Sequence, residues 1–399
     1  QNTTDMLNFD YYIPTRILFG AGSLNKLDKI SLPGKKALIV TTGGTSVKKY
    51  GYLDRVIALL KENGGTEAVV FDKVLPNPIR KHVMEAAGIC RKEGCDFVIG
   101  LGGGSPIDTA KRVAIMAKNP GDYWDYIHGG SGQGKPIEGG VLPIVAITTT
   151  AGTGTEADPW TVITHEEKNE KIGFGCSATF PTLSVVDPEL MLTVPPKLTA
   201  YQGFDALFHS TEGYLANIAT PISDLYALKS IELIGRYLPE AVENGENLEA
   251  RTQVALANTL SGMVESVSSC ISEHSMEHAM SAFFPQLPHG AGLIMISLAY
   301  YTYWAEKAPE RMTKMAEAMG ADTAALPEEK RPYAFVEALR KLQKACGVDE
   351  LKMSDYGIRE EDLPKLVENA RHTMGGLFTL DPVPMSDEDV LKIYRDSYR

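Results

Sequence analysis

Cysteine is scarce in this chain, and what there is does not pair. The five residues Cys90, Cys95, Cys176, Cys270 and Cys346 contain no C-x-x-C and leave an odd count in 399 residues, which excludes a disulfide scaffold. Positive charge is also in short supply: 39 Lys and Arg stand against 51 Asp and Glu, a formal net charge of −12. A surface of that sign repels phosphate backbones and anionic membranes, so neither nucleic acid nor membrane is an expected partner. Long apolar runs are missing as well. No stretch approaches the ~18 apolar residues of a membrane span and no signal-like segment opens the chain, so a cytoplasmic protein is expected. Repeats and low-complexity tracts are absent too.

What is present is ordinary globular material, 44% hydrophobic and 23% charged. Chains beyond ~250–300 residues usually divide into domains, and here the character of the sequence changes once. Up to about residue 190 short apolar runs (36–41, 68–71, 97–101, 141–148, 183–186) alternate with amphipathic stretches such as 53–63 and 79–93. That rhythm predicts a parallel, doubly wound sheet. Beyond Pro195-Pro196 β-branched runs become rare, and helical periodicity dominates over 222–237, 248–267, 308–319 and 332–345. The expected division is an α/β dinucleotide-binding domain over 1–194 and an all-helical metal- and substrate-binding domain over 195–399.

The most informative turn follows the run Phe97–Leu101. Gly102, Gly103 and Gly104 lead into Ser105-Pro106, a good N-cap and a good first helical residue. Strand, glycine turn and helix N-terminus together form a site where backbone N–H groups receive a pyrophosphate. The pattern is not G-x-G-x-x-G, so a dinucleotide topology other than the Rossmann one is implied. A second match, Gly129, Gly134 and Lys135 as G-x-x-x-x-G-K, is discounted. Pro136 occupies the place of the magnesium-binding hydroxyl, and no apolar strand precedes the loop.

Four histidines and one aspartate cluster in the helical half. Asp205 and His209 are four residues apart, as are His274 and His278, and His289 follows in Leu287-Pro288-His289-Gly290. Residues four apart on a helix share a face at roughly 5–6 Å, a workable separation for sharing an ion. Imidazole and carboxylate donors without thiolate suit Fe²⁺ or Zn²⁺ in a catalytic rather than a structural site.

On these residues the chain resembles the iron-containing (group III) alcohol dehydrogenases, a group that includes butanol dehydrogenases and lactaldehyde reductases. The resemblance runs from Pro14–Gly20 through Gly102–Lys111, Thr148–Glu156 and Gly203–His209 to His274–Gly290. It implies a dehydroquinate-synthase-like architecture in which the dinucleotide-binding domain faces the metal domain across a cleft, and an assembly of two or more copies. It also implies that Asp205, His209, His274 and His289 hold the metal, Fe²⁺ with Zn²⁺ as the alternative, and that His278 relays protons. Gly103, Gly104, Ser105 and Asp108 would serve the pyrophosphate, Asn77 the adenosine side, and Thr148, Thr149, Thr153 and Lys171 the cofactor groove. One departure is Glu265-Ser266, where many members have an aromatic residue and asparagines. Another is an interval from His278 to His289 one residue longer than in some relatives.

The implied activity is hydride transfer between a nicotinamide and a small primary alcohol or aldehyde. A glycerol-type polyol dehydrogenase is the nearest alternative. A dehydroquinate-synthase-like lyase would need several Lys or Arg to grip its anionic substrate, and neither 204–215 nor 271–303 has any. A non-catalytic metal- or nucleotide-binding protein is the remaining alternative. For the cofactor, NADP is favoured over NAD. The turn after the first predicted strand, Thr41–Lys49, has no carboxylate to meet a ribose 2′-hydroxyl, while Gly43, Gly44, Ser46 and two lysines could surround a 2′-phosphate.

Overall fold

The computed structural model describes residues 8–399. The chain divides into two compact units, one spanning Ile13–Leu192 and the other Thr193–Arg399 together with the N-terminal stretch through Tyr12. The sequence boundary at 194/195 lies two residues further on. Residues 8–12, assigned by sequence to the α/β unit, belong with the helices, where Tyr11 Oη meets Tyr226 Oη at 2.9 Å.

The first unit contains β1 (Arg16–Phe19), β2 (Lys36–Thr42), α1 (Ser46–Lys49), α2 (Tyr52–Glu62), β3 (Glu67–Val74) and α3 (Arg80–Glu93). There follow β4 (Phe97–Gly102), α4 (Gly104–Met116), β5 (Ile144–Thr148), β6 (Thr161–His165), β7 (Glu170–Phe174) and β8 (Leu183–Val186). Six strands form one parallel sheet in the order β1-β8-β5-β4-β2-β3, with β6 and β7 as a separate antiparallel pair. Both faces of the sheet are covered, which is why its strands read as apolar runs rather than alternations. Leu38, Val40 and Val98 face one core with α3 and α4. Ala37, Ile39, Phe97 and Ile99 face the other with α2. Gly129 and Lys135 lie in irregular chain with no helix after them, as their discounted motif requires.

The second unit is helical: α5 (Pro196–Leu215), α6 (Pro221–Glu243), α7 (Leu248–Val267), α8 (Ser272–Phe283), α9 (His289–Lys307), α10 (Pro309–Ala318), α11 (Tyr333–Ala345), α12 (Leu363–Phe378) and α13 (Asp387–Ser397). The second half of α5 is buried without interruption from Gly203 to Leu215. A helix buried on every side lies at the centre of its unit, and its polar residues must find partners there. Among the described residues no helix is long and apolar enough to cross a membrane.

Candidate metal centre and cofactor turn

Three helices bring the histidine cluster together. Asp205 and His209 lie one turn apart on α5, His274 and His278 one turn apart on α8, and α9 opens on His289 directly after Pro288. The approach of α9 depends on the next residue. A Cβ at Gly290 would stand 2.1 Å from the Tyr201 carbonyl oxygen, so only glycine lets the first turn of α9 press against the α5 backbone.

The result is convergence on a single oxygen. The Nε2 atoms of His209, His274 and His289 lie 3.3, 3.1 and 3.2 Å from Asp205 Oδ1. Donors bound at about 2.0–2.2 Å to one first-row ion are themselves roughly 3–3.5 Å apart, so the spacing is that of a ligand set. Donor atoms of Asp205, His274 and His289 all lie within 4.8 Å of one another.

Electrostatics point the same way. Burial raises the Asp205 carboxyl, but His209 and His289 outweigh it and hold the group well below the usual carboxylate range. Burial works against protonated His274, yet Cys270 and Glu212 lift it well above an ordinary imidazole. His289 is raised by Asp205 and Glu277 against the same burial. A pocket that favours positive charge so strongly, lined by imidazole and carboxylate, fits a divalent cation.

Two glutamates missed at the sequence level complete the arrangement. His274 Nδ1–H donates to Glu212, which also accepts the backbone N–H groups of Ile271 at 3.0 Å and His274 at 3.1 Å. His289 Nδ1–H donates to Glu277, itself held by Ser281 Oγ at 2.7 Å. Both pairings leave Nε2 as the free donor and fix the ring, the usual task of a carboxylate behind a metal-binding histidine. The only sequence signal was position: Glu212 falls three residues after His209, and Glu277 three after His274. His278 is buried nearby, its ring centroid 5.8 Å from that of His274 and 5.3 Å from that of His289, with Nδ1 toward Met374 Sδ.

In the α/β unit the glycine turn joins β4 to α4 as expected. A Cβ at Gly104 would lie 2.3 Å from Thr153 Cγ2 and 3.2 Å separates a Cβ at Gly103 from Thr150 Oγ1, so the loop after β5 packs on bare backbone. Thr149 N–H donates to Gly102 O at 2.8 Å, tying the two loops together, and Thr148 Oγ1 donates to Thr150 O at 2.7 Å within the loop after β5. Asp108 supports this from beneath. Its two oxygens accept Thr155 Oγ1 at 2.8 Å and Val162 N–H at 3.1 Å, so its carboxylate positions the Thr153 loop from inside the protein. Ser105 Oγ donates to Pro76 O, and Lys171 Nζ lies 3.3 Å from Asn77 Oδ1, which brings the Asn77 segment beside the turn.

The turn after β2 differs from expectation. Gly43, Gly44 and Ser46 are exposed. Gly43 N–H already donates to Val74 O at 2.9 Å and Gly44 N–H to Thr42 Oγ1 at 3.0 Å. A carboxylate does stand there: Asp72, from the adjoining strand β3, pairs with Lys48 and is held below its usual range by that contact. The phosphate nest inferred from the glycines and lysines therefore has its N–H groups and one of its cations engaged within the protein.

Comparison with known proteins gives a family for both units. Residues 14–188 match the family described as "Iron-containing alcohol dehydrogenase", and residues 199–398 match "Fe-containing alcohol dehydrogenase family, C-terminal". A 1,3-propanediol dehydrogenase of Citrobacter freundii is 34% identical, covering 98% of this chain and 99% of its own. The crystal structure of an archaeal halo-thermophilic alcohol dehydrogenase from a Red Sea brine pool superposes with a TM-score of 0.92 at 35% identity, over 98% of this chain and 99% of that one. A protein of Thermotoga maritima described as an NADH-dependent butanol dehydrogenase gives 0.87 at 31% identity, over 99% of each chain.

Proposed function

Because the chain belongs to the iron-containing alcohol dehydrogenase family, we propose that it interconverts small primary alcohols and their aldehydes with a nicotinamide cofactor. One observation bears most of the weight: three imidazole nitrogens aimed at one buried carboxylate oxygen, each at 3.1–3.3 Å. Asp205, His209, His274 and His289 hold the metal, Fe²⁺ in preference to Zn²⁺. When bound, the ion supplies Lewis acidity and the nicotinamide gives or takes the hydride. Glu212 and Glu277 keep His274 and His289 in the tautomer that leaves Nε2 unprotonated. Gly103, Gly104 and Ser105 hold the pyrophosphate at the N-terminus of α4, and Asn77, Thr148, Thr149, Thr153 and Lys171 line the rest of the cofactor's path. His278, an imidazole beside two ligands, relays the proton of the reacting hydroxyl.

NAD is the cofactor this reading prefers. A 2′-phosphate at the β2 turn would have to detach Lys48 from Asp72 and then face the Asp72 carboxylate, whereas a ribose 2′-hydroxyl can donate to that carboxylate. A relative described as NADH-dependent leans the same way. The protein is expected to act in the cytoplasm as a homodimer or larger homo-oligomer, which light scattering would measure.

Metal analysis of the purified protein, together with NADH and NADPH oxidation over C2–C6 aldehydes and the reverse reaction with 1,3-propanediol and glycerol, tests the proposal. The expected result is about one ion per chain and turnover of short aldehydes with NADH. Stoichiometric metal with no hydride transfer from either cofactor would overturn it. A higher kcat/KM with NADPH would overturn the cofactor preference alone.

A further inference from the structure

We propose that Glu265 is a fifth protein ligand, so that the centre comprises three imidazoles and two carboxylates. The inference rests on the metal reading above and concerns a side chain outside the family's four ligands.

Glu265 lies near the end of α7 and is only 7% exposed, so its charge must be compensated inside the protein. Its Oε1 stands 3.3 Å from His209 Nε2, and the same nitrogen stands 3.3 Å from Asp205 Oδ1. A hydrogen bond from one Nε2–H shared by the two carboxylates would account for this pair of contacts only if His209 is not a ligand. An Nε2 that donates a proton to Glu265 has no lone pair left for an ion, and an Nε2 that offers its lone pair to an ion has no proton to donate. If His209 is a ligand, a lone pair and a carboxylate oxygen face each other across 3.3 Å. That contact is repulsive unless a cation sits between them.

Cys270 fixes which oxygen is presented. Its Sγ–H donates to Glu265 Oε1 at 2.8 Å, occupying one lone pair of that oxygen and steering the carboxylate toward His209. Among the direct ligands, two carboxylates and three neutral imidazoles balance a divalent ion. Five protein donors also depart from the four-coordinate tetrahedron of zinc sites, and their nitrogen and oxygen character suits Fe²⁺.

The test compares the wild-type protein with Glu265→Gln, both stripped and reloaded with Co²⁺. The variant should lose Co²⁺ affinity, because one anionic donor is removed from the ion. Its visible bands should intensify as the coordination number falls, while the melting temperature of the metal-free form stays that of the wild type. Unchanged Co²⁺ affinity and spectrum in the variant would overturn the proposal and leave the four-ligand reading intact. A wild-type protein that binds no Co²⁺ would overturn both. A crystal structure of the Co²⁺-loaded wild type decides the matter without the variant. A Glu265 oxygen at about 2.0–2.2 Å from the ion supports the assignment, and one only in hydrogen-bonding reach of His209 overturns it.

Discussion

The glycine turn after β4 and the histidine cluster on α5, α8 and α9 are built from opposite materials. The turn works by what it lacks: without side chains at Gly103 and Gly104, the Thr150 and Thr153 side chains can pack against bare chain at the end of α4. The cluster works by what it adds, since buried and half-buried donors from three helices meet at Asp205 Oδ1 with a second set of carboxylates behind them. A site of the first kind is damaged by added atoms, and one of the second kind by lost ones. The two should also fail separately, one in cofactor affinity and the other in metal content.

The strongest way to break that comparison is to remove a donor. His274→Ala or His289→Ala should abolish activity and drop metal content well below one ion per chain, because metal affinity follows ligand number and type. Cofactor affinity, measured by quenching of protein fluorescence, should stay near the parent value. If both variants keep stoichiometric metal, the ligand set is wrong. His278→Ala should do less. Metal should remain, and kcat should fall by about 10²–10⁴-fold if the imidazole moves a proton in the reaction. Loss of metal in this variant would make His278 a ligand instead.

The opposite experiment adds an atom to the turn. Gly104→Ala places a Cβ 2.3 Å from Thr153 Cγ2 and 3.1 Å from its Cβ, on a stiff β-branched side chain. Overpacking of this kind costs about 1–3 kcal/mol, which corresponds to roughly ten- to hundredfold in cofactor Kd. Metal content should be unchanged. A variant with parental cofactor affinity would show that the loop yields and that the glycine serves chain folding alone.

The same contrast explains what could be read from sequence. The turn is contiguous, so strand, glycines, N-cap and helix announce themselves within about fifteen residues, and the buried strands β4 and β8 appear close to their observed limits. The cluster was visible only as repeated i,i+4 spacing, and Glu265 only as a departure from the family pattern with no role attached. Glu212 and Glu277 are single acids on helices whose partners lie many residues away, where no local pattern distinguishes them from solvated ones. The pair β6 and β7 escaped because its strands are short and meet in the charged turn Glu166–Asn169, which only Asn169 at φ 52° marks as reversing. The β2 turn misled for the reason that defeats local reading in general: Asp72 and Val74 engage its lysine and its first glycine from a neighbouring strand.

The smallest effect distinguishes the two regions by their protons. A buried aspartate lies beside each site, and burial is the main cause of its raised pKa in both cases. Asp108 is pushed up to about 6, against the pull of Lys111 and the bonds from Thr155 and Val162. Asp381 is pushed up to about 7, against the bonds from Ser272 Oγ at 2.7 Å and Ser272 N–H at 3.1 Å. An unfolded aspartate titrates near ~3.9, so the folded chain binds both protons more tightly than the unfolded one. The stability each contributes is therefore present below about pH 4 and lost as pH rises, through about 6 for Asp108 and about 7 for Asp381. Asparagine keeps the shape and cannot titrate. The melting-temperature difference, variant minus parent, should rise with pH and level off by about pH 7 for Asp108→Asn and by about pH 8 for Asp381→Asn. Measured at saturating metal, the common pH dependence of metal binding cancels in each difference. A difference between variant and parent that does not change from pH 5 to pH 8 would show that the aspartate is ionised in the folded protein throughout, with its partners fully offsetting its burial.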